Sequence, residues 1–135
     1  MVEWKDEYSV GIKLIDSQHK KLLTIAKKLM ILISTSESFD HSEEAANIYA
    51  ELVSYTKEHL AFEERLMLLN GYEGFIEHKL QHDQFIASMD ELAKMDMEYN
   101  QREAILSMLT FVSEWIVDHI QGTDVKYKGQ LKELS

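Results

Sequence analysis

A chain of 135 residues, 45% hydrophobic and 28% charged, is long enough for one domain with one sizeable core. Its formal net charge of -10 disfavours nucleic acid and anionic lipid as partners, and the absence of cysteine excludes disulfides, thiolate metal sites and thiol catalysis. Residues Met1 to Glu7 hold no apolar run of signal-peptide type, and the Leu29-Met30-Ile31-Leu32-Ile33 cluster is far too short to span a bilayer, so a cytoplasmic protein is expected.

In chain order, the first fifteen residues or so read as an irregular arm. Leu22, Leu23, Ile25, Ala26, Leu29, Met30 and Ile33 then recur at helical spacing, with Asp16 placed to cap that first helix. A serine-rich break from Ser34 to Ser42 contains Asp40, three residues before Glu43, which is a capping-box pattern for a second helix. That helix is marked by Ala45, Ile48, Tyr49, Leu52, Val53, Leu60 and Leu66, and Asn70-Gly71 stops it. Phe75, Leu80, Phe85, Ile86, Met89 and Leu92 mark a third. Asn100 with Glu103 repeats the capping box before a fourth, marked by Ile105, Leu106, Leu109, Val112, Trp115 and Ile116. With no proline to interrupt them, the helices are predicted near residues 17–35, 42–69, 75–95 and 101–121, followed by a short amphipathic tail. Short connections between long helices favour antiparallel neighbours, so the expected fold is all-α: an up-down-up-down four-helix bundle forming a single domain over residues 1–135.

Five of the six histidines fall into a pattern on this scaffold. His59 and Glu63 are four apart, as are His78 and His82, and such residues differ by only about 40° around a helix. His19 lies near the start of the first helix and His119 near the end of the fourth. In an antiparallel bundle the starts of the first and third helices meet the ends of the second and fourth, so all of these side chains share one end. Asp124 is the awkward member. Five residues beyond His119 on a regular helix, it points about 140° away. Gly122 lies between them, and the helix must end or widen there, as at a π-bulge, to bring Asp124 back.

This donor set suits a pair of metal ions. If Glu63 and Asp124 each bridge through both oxygens, and a solvent-derived oxygen is shared, two octahedral ions are filled except for one position. The ion with three histidines is saturated and the ion with two is open to a small diatomic ligand. Leu22, Leu23, Leu60, Phe62, Phe85, Trp115, Ile116 and Ile120 give the site apolar neighbours, which hinders proton delivery and favours reversible binding over turnover. Other residues have plainer readings. His41 is a solvated loop histidine, Glu64 a surface residue, and Met30, Met67 and Met108 packing filler.

Set in order, Trp4 with Val10-Gly11-Ile12, Ile15-Asp16-Ser17-Gln18-His19-Lys20, His59-Leu60-Ala61-Phe62-Glu63-Glu64, Gly71-Tyr72, His78-Lys79-Leu80-Gln81-His82, and Trp115-Ile116-Val117-Asp118-His119-Ile120 followed by Asp124 and Tyr127 resemble the hemerythrins, and within them the single-domain bacterial proteins. The resemblance spans nearly the whole chain. It implies a four-helix bundle that binds O2 reversibly at two non-haem irons joined by an oxo or hydroxo group. His78, His82 and His119 would ligate the saturated iron and His19 and His59 the open one, with Glu63 and Asp124 bridging. Trp115, Ile116 and Ile120 would line the O2 pocket.

The expected role is therefore O2 carriage, storage or buffering rather than catalysis, with nitric oxide or azide as further small ligands. The alternatives are an O2 or redox sensor that signals to a separate partner, and a di-iron peroxidase or nitric oxide-reacting enzyme. Ferritin-like di-iron oxidases carry Glu-x-x-His motifs, and no histidine here has glutamate three residues before it.

Overall fold

The computed structural model describes residues 4–35, 42–92 and 101–131. Four helices carry the fold: α1 (Lys13–Thr35), α2 (Ser42–Leu69), α3 (Phe75–Leu92) and α4 (Gln101–Gly122). Short 3-10 helices at Asp6–Tyr8 and Asp124–Tyr127 flank them. Asp40 and Asn100 of the two expected capping boxes, the loop residue His41, and the third helix beyond residue 92 lie outside the described residues.

Side-chain contacts define the helix directions. Lys21 approaches the ring of Tyr55 while His19 approaches His59, so α1 and α2 run in opposite senses. Lys57 bonds Asp90 where Glu63 meets His78, and Phe85 stacks on Trp115 where His82 meets His119. Consecutive helices are therefore antiparallel, as the short connections required, and the chain forms an all-α four-helix bundle.

The start of α1 differs from expectation. Asp16 is not its cap: the helix begins at Lys13, and the Asp16 amide already donates to the Ile12 carbonyl at 2.9 Å. The Asp16 carboxylate instead turns back to the arm, accepting from the Ser9 hydroxyl at 2.6 Å and the Val10 amide at 2.9 Å. These bonds fold the arm against the bundle. Gly11 permits the reversal with a φ of 80° that side chains with a Cβ rarely adopt.

The stop after α2 is as expected. Gly71 has φ 63°, its amide bonds the Leu68 carbonyl, and the Tyr72 amide bonds the Met67 carbonyl. This is a Schellman motif with glycine at the left-handed position.

Two apolar clusters hold the bundle. The larger fills its shaft, with Leu22, Leu29, Leu52, Phe85, Met108, Leu109, Val112 and Ile120 among its buried members. The smaller gathers Val10, Ile12 and Ile15 from the arm and α1, Leu66 and Met67 from the end of α2, and Tyr127 and Leu131 from the tail. Each fully buried aliphatic side chain of this kind contributes about 1.5–3 kcal/mol. Two residues of the sequence-derived stripes fall outside the core. Leu80 is 54% exposed, because it lies about 200° from His78 and His82, which face inward. Leu106 is 41% exposed, and Met108 is buried instead, continuing the four-residue spacing of Val112, Ile116 and Ile120. No described helix is long and apolar enough to cross a membrane.

A candidate dinuclear metal centre

Between the two clusters lie seven buried polar side chains: His19, His59, Glu63, His78, His82, His119 and Asp124. His19 comes from the second turn of α1 and His119 from the last turn of α4. The pairs His59 with Glu63 and His78 with His82 each project from one face of α2 and α3.

Asp124 arrives by a different route. Helix α4 stops at Gly122, and Thr123 leaves helical geometry with φ -122° and ψ -53°. Its amide still bonds the His119 carbonyl at 2.8 Å, and its hydroxyl donates to Gln81 of α3 at 2.8 Å. The 3-10 helix that follows starts with Asp124 facing inward, 1% exposed. Of the two routes open to the sequence, the chain takes the helix end.

The donor atoms form two overlapping groups. One contains His78, His82 and His119, the other His19 and His59, and Glu63 and Asp124 belong to both. Each carboxylate offers one oxygen to each group. Glu63 Oε1 lies 2.8 Å from His78 and 3.3 Å from His82, while Oε2 lies 3.2 Å from His59. Asp124 Oδ1 lies 2.9 Å from His78 and 3.0 Å from His119, while Oδ2 lies 3.3 Å from His19.

These separations test the fit to metal ions. Nε2–Nε2 distances are 3.0 Å for His19 with His59, 2.9 Å for His82 with His119, and 3.0 Å for His119 with His78. Adjacent ligands around an octahedral ion with bonds of about 2.1 Å are separated by about 3.0 Å. Although Asp124 is this close to three imidazoles, neither of its oxygens has a hydrogen-bonded partner among the described residues. Orphaned acceptors buried in this way are costly unless a cation satisfies them. The residues therefore fit two cations.

The electrostatics reflect the same crowding. Burial pushes His19 down, but the Asp124 and Glu63 carboxylates outweigh it and raise its pKa to about 9. His78 is raised to about 9 against the same burial cost, by the same two carboxylates. Burial raises Glu63, yet bonds from four histidines hold it well below the ordinary range. Asp124 is held at about 2 by His119, His19 and His78, despite burial and the nearby Glu63 charge. Burial dominates at His59 and lowers it.

The surroundings of the two groups differ. Trp115 stacks on His119 with ring centroids 4.2 Å apart and on Phe85 at 3.8 Å, and it meets His82 edge-on at 6.2 Å. Tyr127 stacks on His78 at 5.7 Å and donates its hydroxyl to Glu63 Oε2 at 3.1 Å. Burial and the Glu63 and Asp124 charges push that phenol far up, so it stays a donor. Beside His19 and His59, and reaching His119 and Asp124, there is a cavity of about 10 Å³, room for about one water-sized molecule. Leu22, Thr56, Leu60, Trp115, Ile116 and Ile120 form its walls. Trp115, Ile116 and Ile120 thus all border it, whereas Leu23 and Phe85 pack in the shaft and Phe62 against the lower cluster.

Sequence reasoning missed four polar neighbours. Glu64 is not a free surface residue: it is only 17% exposed and accepts from His82 Nδ1 at 3.0 Å, because the direction that leads away from Glu63 leads towards α3. Gln18 meets His59 Nδ1 at 2.6 Å. Thr56, three residues before His59 and hence on its face of α2, was legible from spacing. The link from Tyr127 to Glu63 joins residues 64 apart in the chain and had no local signal.

Comparison with known proteins agrees with this arrangement. A family model, the hemerythrin HHE cation-binding domain, matches residues 10–131. The chain is 36% identical to a bacteriohemerythrin of Clostridium acetobutylicum over 127 residues, covering 94% of this chain and 98% of that one. It is 32% identical to a myohemerythrin of Riftia pachyptila over 129 residues, covering 95% and 92% respectively. Among solved structures, a hemerythrin point mutant superimposes with a TM-score of 0.77 at 24% identity, with 96% of each chain covered. Wild-type hemerythrin gives a TM-score of 0.75, also at 24% identity, covering 94% of this chain and 95% of that one.

Proposed function

The chain belongs to the hemerythrin family, and on that premise we propose that its seven buried donors hold two irons in unequal halves of one site. The protein binds O2 at this non-haem di-iron centre. His78, His82 and His119 would hold one iron and His19 and His59 the other, with Glu63 and Asp124 each offering one oxygen to either side. When bound, the iron pair supplies the electrons that O2 takes up on binding and recovers them on release. The single domain spans residues 1–135.

The observation that supports this reading best is the position of the cavity, which touches both His19 and His59 but, of the other three donor histidines, only His119. Leu22, Leu60, Ile116 and Ile120 keep water from it, so protons reach a bound ligand slowly. Tyr127 holds Glu63 Oε2 in place, and its strongly raised pKa keeps the hydroxyl proton on the phenol oxygen. Among the described residues no ionisable side chain other than the donors themselves lines the cavity, so the site favours binding and release over turnover. Nitric oxide and azide are further small ligands for the same position. The protein acts as a carrier, store or buffer of O2 and not as an enzyme, and it works in the cytoplasm, which fractionation of cells expressing a tagged copy will test.

The decisive experiment loads the purified protein with ferrous iron without air, admits O2, and then removes it under vacuum. Visible charge-transfer absorption should appear with O2 and vanish on its removal, with two irons retained per chain. Absorption that persists after deoxygenation would contradict reversible binding.

A further inference from the structure

We infer that Gln18 and Glu64 are positioning residues that make the two metal sites unequal in strength, acting through His59 and His82. The inference rests on the two-metal reading above and extends it to residues that touch no metal.

Each of these histidines meets an oxygen through Nδ1. His59 Nδ1 lies 2.6 Å from Gln18 Oε1, and His82 Nδ1 lies 3.0 Å from Glu64 Oε2. An amide oxygen and a carboxylate oxygen only accept, so each Nδ1 carries the proton and each Nε2 presents its lone pair to the donor cluster. Both rings are thereby fixed in orientation and tautomer before a metal arrives. His19 and His78 lack this support, since their Nδ1 atoms have no hydrogen-bond partner among the described residues. Each half of the centre thus contains an anchored histidine, His59 in one and His82 in the other.

The anchors differ in charge. A carboxylate behind an imidazole strengthens it as a donor more than a neutral amide does. Glu64 is only 17% exposed and turns Oε2 to the ring, while its other oxygen, Oε1, pairs with the more exposed Lys79 at 3.8 Å. The anion supports the three-histidine half, and the neutral amide supports the half that borders the cavity. The first metal is held firmly as a structural partner, and the second remains the weaker, more exchangeable one beside the ligand space.

The test uses the metal-free full-length chain titrated with Co2+, followed by visible absorption and by competition with a chelator. The wild-type chain should take up two Co2+ in two separable steps. Glu64→Gln should weaken one step by about 10–100-fold and leave the other within about twofold, and Glu64→Asp should recover part of the loss. Gln18→Glu should strengthen the other step by a similar factor, a gain that unfolding cannot produce. If two Co2+ bind and neither Glu64→Gln nor Gln18→Glu moves a constant, the inference is overturned while the two-metal reading stands. Fewer than two Co2+ on the wild-type chain overturns the reading beneath it.

Discussion

The two halves of the centre share two carboxylates and the same kind of nitrogen donor, yet their walls are unlike. Flat rings cover the three-histidine half: Trp115 lies on His119 and Tyr127 on His78. The two-histidine half instead faces a cavity walled by Leu22, Leu60, Ile116 and Ile120 together with Thr56 and Trp115. Trp115 stacks closely on His119 at 4.2 Å, whereas the branched chains that meet from three helices leave a gap. Access is therefore decided by packing around the donors, and the donor count only says which half has a position to offer.

The largest expected effect comes from removing a donor on the open side. His59→Ala should abolish the O2-dependent absorption completely while far-UV circular dichroism shows an intact bundle. A variant that loses its helices together with its spectrum would mean that site and scaffold are inseparable. Next in size is removal of the ring wall. Trp115→Ala should cost about 3 kcal/mol in urea unfolding, at the low end for a large aromatic side chain because Trp115 is half-buried. It should also speed irreversible oxidation of the O2-bound protein by admitting water. Filling the open half is the opposite change. Leu60→Phe should cost about 1–3 kcal/mol from overpacking and block azide binding while two irons remain. Azide binding unchanged in that variant would show that ligands enter elsewhere.

The smallest effect concerns the protein stripped of metal. His19 and His78 are raised from 6.5 to about 9, so the stability they contribute is complete below about 6.5 and is lost as pH rises through about 9. Asp124, lowered from 3.8 to about 2, contributes stability above about 3.8 that is lost as pH falls through about 2. His59 is lowered by burial and so weakens the fold on the acid side of 6.5. Thermal melts of chelated protein should show Tm falling between pH 6.5 and 9, while the iron-loaded protein stays flat over that range. Parallel curves for the two forms would separate this titration from the metal site.

Much of the donor set was legible because it obeys helical arithmetic. His59 with Glu63 and His78 with His82 needed only the four-residue spacing, and His19 and His119 only the levels that antiparallel helices share. The Gly71 stop followed from a residue that tolerates positive φ. Asp16 was misread because a carboxylate early in a helix serves equally well as a cap or as an anchor for the chain before it, and only the folded arm chose the second. Glu64 was misread because an angle of about 100° from Glu63 points to solvent on a lone helix and to α3 in a bundle.

The sequence by itself determined the four helices, the end of the bundle where the histidines meet, and the supply of nitrogen and carboxylate donors for two metals. All of these follow from local periodicity and from chain connectivity. Tertiary structure alone decided where the cavity lies, which histidines are anchored from behind, that the tail returns Tyr127 to Glu63, and which leucines face water. Those features depend on side chains from three or four helices meeting at one place, and no spacing within a single helix encodes how they fill it.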